Sequence, residues 1–306
     1  MLQGKVIQAT GAWYHVQSHD GAVYPCKLRG KLRLQKLSLT NPVVVGDEVT
    51  FAPAVGVIHT VLPRKNYMIR RATHRPAQGQ LLAANLDQAL LVATVVDIAA
   101  QLSFIDNFLV VAEAFAITPG LVFNKLDLLD TTRQGALEAA QALYEGLGYA
   151  TWAVSAHTRV HLDSLTQALA SKVSLLSGHS GVGKSSLLNA LAPAAQQAVA
   201  PVGASVSRGQ HTTTYSALFE VAPGSFVIDM PGVQTLVPYA LEKQALRHYF
   251  PELRALGTRC KFYNCLHVQE PGCAVRQALA QGDIAASRYT SYETMLKDTS
   301  AATPRG

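Results

Sequence analysis

The sequence predicts an α/β protein built on a parallel sheet covered on both faces, with a small β-barrel before it and a cysteine-bearing helical segment after it. Three observations predict this. Residues 4–64 read as short strands broken by Gly, Pro and Asp. Between residues 87 and 229, continuous apolar runs alternate with amphipathic stretches, the pattern of strands buried on both faces and joined by helices. From about residue 238 the pattern turns helical and irregular, and three of the four cysteines fall there. The corresponding domain limits are 1–67, 68–237 and 238–306.

The bulk composition fits several domains. The chain has 306 residues, of which 49% are hydrophobic and 15% charged, so it can bury a sizeable core and is not of the disordered class. No apolar run reaches the length of a membrane span. The N-terminus MLQGKVIQATGAWYHV has neither the apolar stretch nor the cleavage site of a signal peptide. The expectation is a cytoplasmic monomer with no membrane partner. The net charge of +6 is unevenly spread: residues 1–75 hold 11 Lys/Arg against 3 Asp/Glu. A basic module on a near-neutral remainder points to a polyanionic partner such as RNA.

In the first module, GKVIQATGAWYHVQS, GAVYPCKLRG, VVGDEVTFAP and GVIHTVLPR supply the strands. Four or five such strands suggest an OB-fold, with an SH3-like barrel as the alternative. Arg29–Lys36 would form a basic loop beside it. Trp13, Tyr14 and Tyr24 are either core or stacking faces for bases, and Cys26 is expected in the core. Residues 64–85 are basic and weakly periodic and read as a linker.

The second module has strand-like runs at 87–96, 119–123, 150–155, 172–177 and 225–229, with helical patterns at 104–117, 132–147, 162–170 and 184–192. Ligands of such sheets bind at the C-terminal ends of the strands, and the motifs fall there. GHSGVGKS at 178–185 matches the phosphate loop at every fixed position, between a strand and a helix. Gly178, His179, Ser180, Gly181, Val182 and Gly183 would wrap phosphates with backbone N–H groups at a helix N-terminus. Lys184 would reach the β- and γ-phosphates, Ser185 would bind Mg²⁺ and Ser186 would follow in the nucleotide shell.

The base is read elsewhere. FNKLDLL places Asn124, Lys125, Leu126 and Asp127 after a strand. An Asp carboxylate accepts two hydrogen bonds from guanine, and with adenine it stays buried and unpaired, so N-K-x-D selects GTP. Ser155 and Ala156, closing the next strand, match a short base-supporting element whose usual Lys is here His157. DMPG at 229–232 gives Asp229 to hold Mg²⁺ through water and the Gly232 N–H to sense the γ-phosphate. RGQHTTT at 208–214 is a polar loop suited to switching. Thr212, Thr213 and Thr214 all remain open as its Mg²⁺ ligand, with Thr213 favoured.

Two features set this sequence apart. N-K-x-D precedes the phosphate loop, the reverse of the ordinary order, so the G domain is circularly permuted, which is tolerated where termini lie close together. Val233 stands after D-x-x-G, where other GTPases place a water-orienting Gln. Intrinsic hydrolysis is therefore expected to be slow, with His211 the candidate to position water.

Cys260, Cys265, His267 and Cys273 form C-x4-C-x-H-x5-C. Three thiolates and an imidazole close a tetrahedral zinc site and leave no open position, so one structural zinc is expected.

Taken together, NKLD, GHSGVGKSS, RGQHTTT, DMPGV and the cysteine pattern resemble the bacterial ribosome small-subunit-dependent GTPases, the RsgA/YjeQ family, over essentially the whole chain. The resemblance implies a late factor in small-subunit maturation. Such a protein binds the subunit and its rRNA through the barrel and the zinc domain, and hydrolyses GTP to GDP when the subunit stimulates it. It also implies zinc on the Cys/His set and a catalytic role for His211. This sequence departs at Gln210, where many relatives carry a basic residue, and at His157. The alternatives are a GTP-gated RNA-binding module with little catalytic role and a permuted GTPase acting on the large subunit.

Overall fold

A computed structural model describes residues 1–30, 39, 41–72, 78–192, 216–229 and 241–301. His211, Thr212, Thr213, Thr214, Gly232, Val233 and most of the basic loop after Arg29 lie outside the described residues.

The first five strands are β1 (Leu2–Thr10), β2 (Trp13–Ser18), β3 (Val23–Leu28), β4 (Glu48–Ala52) and β5 (Val57–Val61). They pair in the order β1-β2-β3-β5-β4, and β4 returns to β1, with Leu2 opposite Phe51 and Lys5 opposite Glu48. This closes a five-stranded barrel with no free edge, the expected OB-fold arrangement. Alternation along each strand sends Val6, Tyr14, Val16, Cys26, Val49, Phe51 and Ile58 inward as one cluster. Burial pushes the Cys26 thiol up to about 11, as befits a core cysteine. Of the three aromatics in question, Tyr14 is core, Tyr24 leans on Phe51 with ring centroids 5.4 Å apart, and Trp13 is exposed with the Lys27 ammonium 4.2 Å from its ring centroid.

The stretch read as a linker is a hairpin. Strand β6 (Tyr67–Arg71) pairs antiparallel with β7 (Gly79–Ala84). Tertiary burial decides the matter: Met68, Ile69, Leu81, Leu82, Ala83 and Ala84 are all buried. Their alternation is masked in the sequence by the interleaved Arg70, Arg71 and Gln80.

The second module carries β8 (Gln88–Thr94), β9 (Thr118–Asn124), β10 (Ala150–Ala153), β11 (Val173–Ser177), β12 (Ser216–Ala222) and β13 (Ser225–Asp229). Their order is β10-β9-β8-β11-β13-β12. The first five run parallel and β12 is antiparallel. Strand β12 was not foreseen. It also joins the two modules: Gln8 and Ala9 of β1 pair with Ala217 and Ser216, so barrel and sheet form one continuous eleven-stranded surface.

Helices α1 (Ile98–Ala114), α2 (Thr131–Gly146), α3 (Leu162–Leu169) and α4 (Lys184–Leu191) cover this sheet. The first begins six residues before its expected start, because the Asp97 carboxylate accepts the Ala100 N–H and caps it there. Below them lie two apolar clusters, one with Leu91, Phe108, Leu109 and Phe123, the other with Val122, Leu165, Leu176 and Leu187.

The last segment contains α5 (Pro251–Gly257), α6 (Ala274–Gln281) and α7 (Ala286–Ala301). It packs on α1 through Val110. A buried ion network crosses the same contact. The Arg288 guanidinium meets Asp106 of α1 at 2.7 Å and Glu252 of α5 at 2.7 and 3.2 Å, and the Tyr144 hydroxyl donates to the same Asp106 oxygen. Among the described residues, no helix is long and apolar enough to cross a membrane.

Candidate functional site

The motif residues gather at the C-terminal ends of β9, β10, β11 and β13. Parallel pairing sets Asp229 beside Leu176, one residue before the end of β11, so the Asp of the D-x-x-G segment lies next to the phosphate loop. The loop turns through glycines with positive φ: Gly178 (149°), Gly181 (83°) and Gly183 (96°). Two of them are also required by space. A Cβ on Gly178 would sit 2.4 Å from the Val92 carbonyl oxygen, and one on Gly183 would sit 2.4 Å from Asn124 Nδ2. Helix α4 then starts at Lys184 and directs its unpaired N–H groups into the loop.

Lys184 is almost fully buried. Its ammonium donates to the carbonyls of Gly178 and His179 at 2.7 and 2.8 Å. Burial lowers its pKa, and the nearby Asp229 opposes that. Asp229 is buried too, and burial pushes its carboxyl up to about 6 against the pull of Lys184. Its Oδ1 has no hydrogen-bond partner among the described residues. A buried carboxylate oxygen with nothing to accept from beside a phosphate loop fits a water of a Mg²⁺ shell. Ser185 and Ser186 are exposed at the start of α4, open to a ligand.

The N-K-x-D segment follows β9. Asn124 is a tie within the protein: its Nδ2 donates to the Val182 carbonyl at 2.9 Å and its Oδ1 accepts from the Ala156 N–H at 3.1 Å. It thereby joins the phosphate loop to the base-supporting element. Lys125 adopts a positive φ of 68° and turns the chain into the short helical turn Leu126–Leu128. That turn leaves Asp127 exposed, with Oδ1 accepting from the buried Ser155 hydroxyl at 2.5 Å. The Ser155 hydrogen bond is the main cause holding the Asp127 carboxyl below its ordinary value. Ser155 Oγ accepts in turn from the Thr158 N–H at 3.0 Å, so the Asp127 carboxylate is aimed by a fixed hydroxyl.

One contact was not foreseen. The His179 ring lies on Phe104 of α1, with centroids 3.9 Å apart. The two residues are far apart in sequence, and no local pattern links them. Burial first, and then Lys184, lowers the His179 pKa, so the ring favours its neutral form against the aromatic face.

In the last segment, the ligand atoms of Cys260, Cys265, His267 and Cys273 all lie within 4.8 Å of one another. His267 Nδ1 is 3.5 Å from Cys260 Sγ and 3.4 Å from Cys273 Sγ, and those sulfurs are 3.9 Å apart. A tetrahedron with Zn–S of about 2.3 Å and Zn–N of about 2.0 Å has edges of about 3.5–3.8 Å, so the spacing fits one zinc ion. The loop is fastened from outside as well. The Tyr289 and Tyr292 hydroxyls of α7 donate to the His267 and Leu266 carbonyls at 2.6 and 2.7 Å. The Glu270 carboxylate accepts three backbone N–H groups.

The deciding feature is chain order. The base motif after β9 comes before the phosphate loop after β11, yet both edges meet across β8 in one sheet. Residues 61–237 match the RsgA GTPase family model and residues 3–56 the RsgA N-terminal domain model. The chain belongs to the RsgA GTPase family. It is 42% identical over 300 residues to the small ribosomal subunit biogenesis GTPase RsgA of Bacteroides fragilis, covering 97% of each chain. It is 42% identical over 308 residues to the protein of that name from Porphyromonas gingivalis, covering 98% of each. Among solved structures, YjeQ from Thermotoga maritima aligns with a TM-score of 0.74 at 36% identity, over 97% of this chain and 98% of that one. YloQ, described as a circularly permuted GTPase, aligns at 0.72 and 30% identity, over 100% and 97%. The fold of this RsgA-family chain is therefore a circularly permuted G domain between a barrel and a Cys/His-bearing helical domain.

Proposed function

We propose that this protein binds the small ribosomal subunit, assists its late maturation, and hydrolyses GTP to GDP and phosphate with stimulation by that subunit. The observation that carries the GTP part is the convergence of a built phosphate loop, an orphaned buried Asp229 oxygen and a Ser155-aimed Asp127 on one sheet edge. The partner is supported by the names of full-length relatives and by the basic charge of residues 1–75.

The residues divide the work as follows. Gly178 to Gly183 offer backbone N–H groups to the phosphates, and Lys184 turns from its loop carbonyls toward the β- and γ-phosphates. Asp127 accepts from guanine, while Ser155 and Ala156 hold the base-side wall. Asn124 keeps that wall in register with the phosphate loop, and Lys125 and Leu126 carry the chain around the base. Ser185 and Thr213 would hold Mg²⁺ directly and Asp229 through water. The ion would supply charge neutralisation on the phosphate oxygens. Gly232 senses the γ-phosphate, and His211 orients the attacking water in place of the Gln that Val233 replaces. Zinc on Cys260, Cys265, His267 and Cys273 is structural. The domains divide at residues 67 and 237.

The test of the base assignment is Asp127→Asn. Its amide presents a donor where guanine also donates, so affinity for GTP should fall and affinity for XTP rise. Unchanged preference for GTP contradicts the assignment.

A further inference from the structure

The loop between Cys260 and Cys265 is not used by anything described so far. Its sequence is Lys261-Phe262-Tyr263-Asn264, and all four residues are exposed. Phe262 keeps 40% of its surface in solvent and Tyr263 keeps 90%. An aromatic side chain left that bare on an ordered loop costs solvation and gains no packing.

The loop is nonetheless held rigid. Both ends are cysteines of the Cys/His cluster. The Arg247 guanidinium donates to the Tyr263 and Cys265 carbonyls, each at 2.8 Å, and the Lys261 N–H donates to the Gly272 carbonyl. The backbone is thus fixed while the rings point away from it. A cation lies beside them. The Lys261 ammonium sits 5.6 Å from the Phe262 ring centroid. Arg259 and Lys261 are exposed and have no carboxylate partner among the described residues. The acids that flank this stretch in sequence are engaged elsewhere: Glu252 holds Arg288, and Glu270 accepts three backbone N–H groups.

We propose that Tyr263 and Phe262 form a stacking platform for an unpaired nucleotide of RNA, with Arg259 and Lys261 on the flanking phosphates. The proposal rests on the small-subunit reading above and assigns a contact within it. A bare ring offers a π-face to any base, and the adjacent cations match a polyanion and not an apolar protein groove. The tied loop backbone supplies the preorganisation, because a fixed backbone loses little entropy on binding.

The experiment compares full-length wild type, Tyr263→Ala, Tyr263→Phe and Phe262→Ala for binding to purified small ribosomal subunits. Zinc content and subunit-free GTP turnover are measured on each as folding controls. Stacking predicts that Tyr263→Ala weakens binding by about fivefold or more, that Tyr263→Phe retains it, and that the controls are unchanged. A photocrosslinker at position 263 should mark an unpaired rRNA nucleotide. If wild type binds and Tyr263→Ala binds equally, or the crosslink falls on a ribosomal protein, the platform is overturned. If wild type itself does not bind, the small-subunit reading fails first.

Discussion

Asn124 shows how a single side chain sets the geometry of the proposed nucleotide site. It bonds the Val182 carbonyl on one side and the Ala156 N–H on the other. It can do so because Gly183 has no Cβ in its way. Gly183→Ala would put a methyl group 2.4 Å from Asn124 Nδ2 at a φ of 96°, which is strained on both counts. We expect at least a tenfold loss of GDP affinity, on the order of 1.4 kcal/mol or more, in a variant that still folds. Titration with a fluorescent GDP analogue measures it, and wild-type affinity would show that the tie is dispensable.

Asp229 gives a residue-scale pH dependence. Its ordinary value is 3.8 and burial raises it to about 6 in the folded, nucleotide-free chain. Between those values the folded chain keeps a proton that the unfolded chain has released. This group's contribution to stability is therefore fully present below 3.8 and is lost as pH rises through 6. The loss is about 3 kcal/mol at most. Asp229→Asn removes the charge that is being penalised. The nucleotide-free variant should therefore melt above wild type at about pH 8, and the gap should close toward about pH 4. A gap that does not change with pH contradicts the burial account. Of these residue-scale facts, the motif residues were legible in the sequence because phosphate and guanine chemistry demand specific types at fixed spacing. The Phe104–His179 stack and the structural duty of Asn124 were not, because both depend on which strand ends the sheet brings together.

At the scale of elements, α1 connects the two ends of the molecule that matter. Phe104 touches the phosphate loop, and Asp106, two residues on, receives Arg288 from α7. Arg288 is 1% exposed and Asp106 fully buried. Arg288→Ala leaves the Asp106 and Glu252 carboxylates facing each other without a cation. Breaking such a buried pair costs about 3–5 kcal/mol. Asp106→Asn should cost less, since Arg288 keeps both bonds to Glu252. Thermal unfolding of the two variants checks the order, and equal effects would mean that Glu252 contributes little. Helices α2, α3 and α4 were legible to within a residue or two because each carries a clean apolar face. The start of α1 was not, since the capping Asp97 precedes the periodic run. The hairpin β6–β7 was hidden because its polar residues interrupt the period-two signal, and β12 because its neighbour β13 carried the recognisable motif.

At the scale of the whole molecule, the barrel and the G domain share one sheet through β1 and β12. Strand β12 begins at Ser216, directly after the polar Thr-rich segment. The barrel therefore pairs with the strand that follows the Thr-rich segment, and the C-terminal domain packs on the helix beside the phosphate loop. The permutation was legible in the motif order; the β1–β12 seam was not, since strand partners are set by tertiary contact and not by local pattern. A GTPase that waits for the small subunit, as proposed, is tested by GTP turnover of the purified protein alone, with small subunits and with large subunits. Slow turnover alone and strong acceleration by small subunits only are expected. Equal acceleration by large subunits, or none by either, would rule that proposal out.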